Sequence, residues 1–345
     1  MAQSGTIDLQ NGGTFAGYCT ANPGAAITLS GGTGALTNSA AFGGGGYLGV
    51  AGGTPTFSGT LATAMSWTGG TVYGQLNIAT NGWLAASGTG TRYLQMVVTN
   101  SGTITVASPV QFNGSSLLLA NAAVGLVDVQ GDVSFSSDGN GGQQIVNAGT
   151  FRKSAGPNGC NITGITFRNA GTVGVLAGQL YLNSPFTNAG GGLIIQMNSP
   201  VDWGQLICSG SVVLGNRLQV FFTNGYAPPV GGQYRIISGA SLTGVFNPVN
   251  VQSSLASVGY STNRAWLTIT NTYSPPRLAS PAMSAGSFSF SMPTVGGQSY
   301  TVESSDDLRS GNWVFYTNFT GSGLPLQISI PVSGAPQRFF RVHQP

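Results

Sequence analysis

The segment RNAGTVGV at residues 168–175 recurs with small changes as TNSGTITV (99–106), VNAGTFRK (146–153) and TNAGGGLI (187–194). A short turn-plus-strand unit cannot bury its apolar side chains alone, so repeated copies must stack on one another. Aligned on the turn residue, the series runs Asn81, Asn100, Asn121, Asn147, Asn169, Asn188 and then Ser209, at spacings of 19, 21, 26, 22, 19 and 21 residues. Loosely kept periods near 20 mark a solenoid with one coil per repeat.

The residues inside each unit decide the kind of coil. TVYGQLNIA (71–79), GLVDVQGDVSF (125–135) and SVVLGNRLQVFF (211–222) alternate apolar and polar side chains over four to six positions, are rich in β-branched residues, and are bounded by Gly or Asn. That pattern reads as strand, turn, strand. No stretch keeps a 3.6-residue period for more than two turns, which excludes the helical repeat families. Three short strands in about 20 residues close one triangular coil, and parallel coils stack at roughly 4.8 Å. The expected fold is therefore all-β, a right-handed parallel β-helix.

Asn-Ala-Gly and Asn-Ser-Gly suit the corners because Asn and Gly tolerate left-handed backbone angles. On this reading Asn81, Asn100, Asn121, Asn147, Asn169 and Asn188 are corner residues, and equivalent amides on successive coils can bond into a ladder.

The β-helix is expected over residues 1–223. Prolines in SPPRLAS (274–280) then break the pattern and mark a linker. FSFSM, QSYTVESSDDL, NWVFYTNFTG, LPLQISIP and QRFFRV follow as five strand signals, so 281–345 is expected to be a small antiparallel β-sandwich.

Charge narrows the partners. The 345 residues hold only 11 basic and 8 acidic side chains against 55 glycines. A nucleic-acid binder needs clustered Lys and Arg to replace phosphate counterions, and Lys153 is the only lysine. There is no 18-residue apolar run for a membrane span and no signal-peptide pattern at the start, so a leader is expected to lie outside this sequence. Cys19, Cys160 and Cys208 are widely spaced, and His343 is the single histidine, which argues against a metal site. The cysteines read as small buried apolar residues, a Cys160–Cys208 bridge requiring the two to lie on adjoining coils. No cofactor is expected.

Catalysis on polysaccharides would need paired carboxyl groups or an acidic cluster with a basic clamp. Asp128 and Asp132 in VDVQGDV are the nearest to a pair; their sequence neighbours supply no base or basic clamp, which would have to come from Arg152 or Lys153 on the next coil. Solvated face charges are the simpler reading, so no enzymatic role is expected. SSDGNGG (136–142) lacks the alternating ligands and closing Glu of a calcium loop and reads as a surface excursion, while SSDDL (304–308) reads as a polar turn. Trp67, Trp83, Tyr93 and Trp203 are the candidates for a sugar-stacking stripe, against interior or corner packing.

The N(A/S)GT(I/F/V) units resemble the repeats of bacterial autotransporter passengers and related secreted adhesins, well over 60–220 and loosely over 1–60. NGYAPPVGGQYRIISGASLTGVFNPV through NRAWLTITNTY (263–273) resembles the segment that closes such passengers, and this resemblance implies that residues 224–273 cap the β-helix. YTVESSDDL and RFFRV are similar to C-terminal modules of large secreted proteins of Verrucomicrobia and Planctomycetes. The resemblance implies a secreted, extracellular or cell-surface protein. A charge-poor surface of hydroxyl and amide groups suits dense packing, because charged gatekeepers normally keep sheet edges apart. The expected role is structural: a protomer of a head-to-tail filament or sheath whose partner is its own copies, or the shaft of an adhesin. A module binding surface glycans is the alternative, and a polysaccharide-degrading β-helix enzyme ranks below it.

Overall fold

A computed structural model describes the backbone of residues 1–188, 190–224, 226–252, 254–272, 278–284, 286–294, 299–322, 324–332 and 337–343; the side chains of 37–43, 254, 255, 271 and 272 are not described. Among the described residues every regular element is a strand. The chain divides into two units, Met1–Gln252 with Ala256–Thr270, and Ser253–Leu255 with Asn271–Pro345.

The first unit is a parallel β-solenoid of about ten turns. One face is a 12-stranded parallel sheet, here sheet A, running from Thr6–Leu9 to Val249–Val251. A second face, sheet B, begins at Gly12–Thr20 and belongs to a 16-stranded sheet. In the early turns its strands are long, as in Thr71–Ile78 and Arg92–Asn100, and bend around two sides of the coil. After Asn100 the two sides separate: Leu118–Asn121, Gln144–Asn147 and Thr166–Asn169 stack as a third face on the end of Arg92–Asn100. Phe186–Thr187, Ser211–Val213 and Ser241–Thr243 form a further parallel ladder.

Register turns the alternating sequence into columns. Along sheet A, Leu48, Met65, Leu84, Ile104, Val127, Phe151 and Val173 pair in succession and point inward. A second inward column carries Leu29, Val50, Trp67, Ala86, Val106, Val129, Lys153 and Val175. Because side chains alternate across a strand, a one-residue slip would turn both columns into solvent. The offset between paired residues nevertheless varies, from Tyr47↔Ala64 to Leu218↔Val249, because extra residues go into the corners and leave the strands in register.

The last turns change direction. Gln233–Ser238 pairs in parallel with Gln205–Cys208 on one side and antiparallel with Arg264–Thr272 on the other, and Ser254–Tyr260 lies beyond it. The parallel stack of sheet B therefore ends in antiparallel strands drawn from the segment expected to close the helix.

In the second unit two three-stranded antiparallel sheets share one core of Phe290, Met292, Tyr300, Val302, Ile328 and Ile330. All five expected strand signals form strands there, and a sixth, Ala279–Ser284, starts inside the stretch expected as linker. It pairs on one side only, and its register shifts between Ala279 and Ala282 around Pro281. An edge strand tolerates a proline in this way. Of the expected linker, residues 274–277 lie outside the described residues.

Candidate functional site

Two features of the solenoid concentrate polar chemistry: a column of asparagines at one corner, and a group of four charged side chains around the strand Thr150–Ala155.

The asparagine column is internal. Asn100, Asn121, Asn147 and Asn169 occupy the same register position on successive turns. Each donates its amide to the carbonyl oxygen of the next: Asn100 Nδ2 to Asn121 Oδ1 at 2.8 Å, Asn121 to Asn147 at 2.8 Å, and Asn147 to Asn169 at 2.7 Å. The same amide groups also serve the corner backbone, Asn100 reaching Leu126 O, Asn121 reaching Thr150 O and Asn147 reaching Thr172 O, each at 3.0 Å. Asn169 ends the relay by turning its Nδ2 to Gly171 O. Amide side chains, with two donors and an acceptor, are the groups that can satisfy a rung above and a turn below at once.

Two of the six expected corner asparagines stand outside this relay. Asn81 is exposed in a turn and donates to Ala62 O; the column position on its coil belongs to Ile78, which pairs with Asn100. Asn188 is buried but donates to Gly215 O, and its Oδ1 has no partner among the described residues. The expected reason for the Asn-x-Gly pattern is also corrected. None of these asparagines has a positive φ, and neither do Gly102, Gly149 and Gly171. Glycine is needed because the coils approach closely there. A Cβ at Gly102 would fall on the carbonyl oxygens of Ala79 and Gly82, one at Gly149 on those of Ala122 and Gly125, and one at Gly171 on that of Gly149.

A second corner does use left-handed glycine. SGGT (30–33), AGGT (51–54) and TGGT (68–71) place Gly32, Gly53 and Gly70 at φ of 66°, 69° and 73°. This spacing is the sequence signal for the early turns, and alignment on Asn passes over it.

The charged group begins with Asp128, which pairs in register with Arg152 on the next turn. The guanidinium grips the carboxylate through Nε at 3.0 Å and Nη2 at 2.9 Å, a two-point contact that covers Asp128. Lys153 faces the other way. It holds an inward position between Val129 and Val175, with 0% of its surface exposed. All three ammonium protons are used, on Asp132 Oδ1 at 3.0 Å, Ala155 O at 2.7 Å and Gly156 O at 2.6 Å. Asp132 in turn accepts from the main-chain and side-chain nitrogens of Asn158, both at 3.1 Å, and so closes the loop 154–158.

Desolvation acts to raise both carboxyls, but the hydrogen bonds and charge of Arg152 hold Asp128 below its ordinary value, and Lys153 and Asn158 do the same for Asp132. Both are thus fixed as carboxylates on separate cations, an arrangement that suits corner fastening rather than proton transfer. Removing Asp132 strands a buried ammonium, whereas an apolar replacement for Lys153 leaves a partly exposed carboxylate with its Asn158 bonds. Asp132→Ala is expected to lose about 1–3 kcal/mol in urea denaturation and Lys153→Met less than about 1 kcal/mol. Because the folded-state values are depressed, the ion pairs stabilise above the unfolded carboxyl range near pH 4 and fade as pH falls through the folded values. The Asp132→Ala penalty should shrink over the same interval.

The remaining candidates separate. Trp67 is a core side chain, donating Nε1 to Gly70 O, and cannot stack on an external ligand. Trp83 is 47% exposed on sheet A with its Nε1 on Thr105 Oγ1. Tyr93 is exposed on sheet B. Trp203 donates to Arg235 O and meets the Tyr234 ring edge-on at 5.4 Å. The four therefore make no single stripe. Asp138 of the SSDGNGG excursion accepts from Asn140 and Gln143, whereas SSDDL, expected as a polar turn, begins as the end of the strand Ser299–Ser305 and turns only after it, where Asp307 accepts from Arg309 N. Among the described residues no group of three or more His, Cys, Asp or Glu side chains converges as a metal site.

Cys160 and Cys208 are both free. Cys160 pairs with Leu180, whereas Cys208 pairs with Leu182, which itself pairs with Ile162, so the two thiols sit two turns apart and two residues out of step. Burial pushes each up to about 12. Compared with known proteins, the chain matches no family model and no curated sequence.

Proposed function

We propose that this chain is an extracellular structural element, the protomer of a filament or sheath or the shaft of a surface adhesin. The observation that carries the reading is the unbroken run of hydrogen-bonded rungs in sheet A, from Thr6–Leu9 to Val249–Val251. Tension along the stack is shared among many main-chain bonds, and the internal asparagine relay ties four turns together at one corner. The charge-poor composition supports close lateral or end-to-end packing of copies. Likeness of the N(A/S)GT units to secreted passengers supports a place outside the cell. Electron microscopy of the purified chain over a range of concentrations tests the filament form. Rods that lengthen at constant width are expected, and particles of one size at every concentration would overturn it.

One observation favours glycan binding as a second reading. Tyr47 and Trp83, 46% and 47% exposed, flank Ala64 in one outward register column of sheet A. Two rungs place the rings roughly 9.6 Å apart, over a small residue that leaves both faces open. Loss of glycan retention in Trp83→Ala would support it.

A further inference from the structure

Residues 9–127 contain no Asp or Glu and a single basic side chain, Arg92. That one charge is buried, with 5% of its surface exposed. It stands at the start of Arg92–Asn100 in register with Val110, which continues to Phe135, and so holds an inward position. Its Nε donates to Gly90 O at 3.2 Å, while Nη1 has no hydrogen-bond partner among the described residues. A buried guanidinium without a counter-charge is costly, and the proteins that keep one normally supply an anion.

The surroundings point the same way. Above the guanidinium runs the exposed loop Gly88–Thr89–Gly90. A Cβ at Gly90 would come within 3.1 Å of Nη2, and one at Gly88 within 3.7 Å of Nη1, so glycine keeps the cover thin. On the next turn Ser108 is 1% exposed, and its hydroxyl also lacks a partner. Ser108 directly precedes Pro109, whose carbonyl accepts the Arg92 main-chain N–H at 2.7 Å. Two orphaned polar groups, one cationic and one a hydroxyl, thus stand at neighbouring levels of one corner.

We propose that this corner is an oxyanion-binding site. Arg92 supplies the charge and a planar fork suited to two oxygens, Ser108 a further donor, and the loop 88–90 the cover that yields on entry. The anion is either a free inorganic oxyanion or the sulfate of an acidic sugar. The test is a titration of the full chain at fixed ionic strength with inorganic phosphate, followed by 31P line broadening, and with glucosamine 6-sulfate, followed by calorimetry. Saturable binding of either probe to the wild type is expected, at least tenfold weaker in Arg92→Met and severalfold weaker in Ser108→Ala. Phosphate binding alone assigns the site to a free anion, and binding of the sulfated sugar alone assigns it to a glycan. Ser108→Ala leaves the charge in place and keeps the comparison open should Arg92→Met fold poorly. Absence of saturable binding of both probes to the wild type, or equal binding to the wild type and the variants, overturns the proposal.

Discussion

Asn121→Asp is expected to destabilise the solenoid by about 3–5 kcal/mol at neutral pH, although the two side chains have nearly the same shape. Asn121 is buried, and its Nδ2 faces three acceptors: Gly125 O at 3.2 Å, Asn147 Oδ1 at 2.8 Å and Thr150 O at 3.0 Å. A carboxylate there can still accept from Asn100 Nδ2, but it turns an oxygen toward oxygens already present. The penalty has a pH signature. With no added donor and little water, the new carboxyl has its folded pKa raised above the unfolded value near 4. The destabilisation is therefore full above that raised value and relaxes as pH falls through it, opposite in sign to the native Asp128 and Asp132. Asn121→Leu carries no charge but orphans Asn147 Oδ1 and leaves Asn100 Nδ2 with Leu126 O alone, so a loss of about 2–4 kcal/mol without the acid rescue is expected. Chemical denaturation at pH 7 and pH 4 separates the two. Equal losses for both variants at both pH values would show that the relay stabilises by shape alone.

The asparagines also show how far the sequence could be read. Period and alternation sufficed for a parallel solenoid, because a strand column stays in register only if apolar residues alternate on every turn. They sufficed as well for the relay of Asn100, Asn121, Asn147 and Asn169. Asn81 differs because its corner is longer: the column position, Ile78, stands four residues before Gly82, as Asn121 stands four before Gly125, and Asn81 falls among the added turn residues, whereas Asn100, Asn147 and Asn169 stand two before their glycines. The left-handed corner falls at Gly32, Gly53 and Gly70 and not at the Asn-x-Gly glycines for a related reason. A sequence shows where glycine stands, but not whether its own dihedral or a neighbouring carbonyl requires it. The inward place of Lys153 runs against the usual behaviour of a strand lysine, which points to water. Its place was legible only as parity: Phe151 and Lys153 both face inward because Asp128, which pairs with Arg152, lies in the outward column. The unpaired state of Arg92 was visible in outline, as the one charge in a long neutral stretch, but its burial required the register with Val110.

The core should respond locally. Phe151→Ala is expected to lose about 3–5 kcal/mol, against less than about 1.5 kcal/mol for Phe151→Leu. Phe151 is wholly buried where three faces of the coil meet. Its ring lies 5.9 Å from that of Phe135 on sheet B and 5.2 Å, edge-on, from that of Phe167 on the third face. Val127 and Val173 close it off on the turns before and after. A cavity there relaxes poorly, because its walls are strands hydrogen-bonded on both sides and a collapse would have to break register. In a stacked array each turn contacts only its neighbours, so the damage should stay near the cavity. Hydrogen exchange is expected to quicken in Leu126–Gln130, Thr150–Ala155 and Thr172–Val175 while Tyr47–Val50 and Ala64–Trp67 keep their protection. Uniform loss of protection across all of these strands would instead mean that the solenoid unfolds as one cooperative block. Its stability would then belong to the whole stack rather than to neighbouring turns.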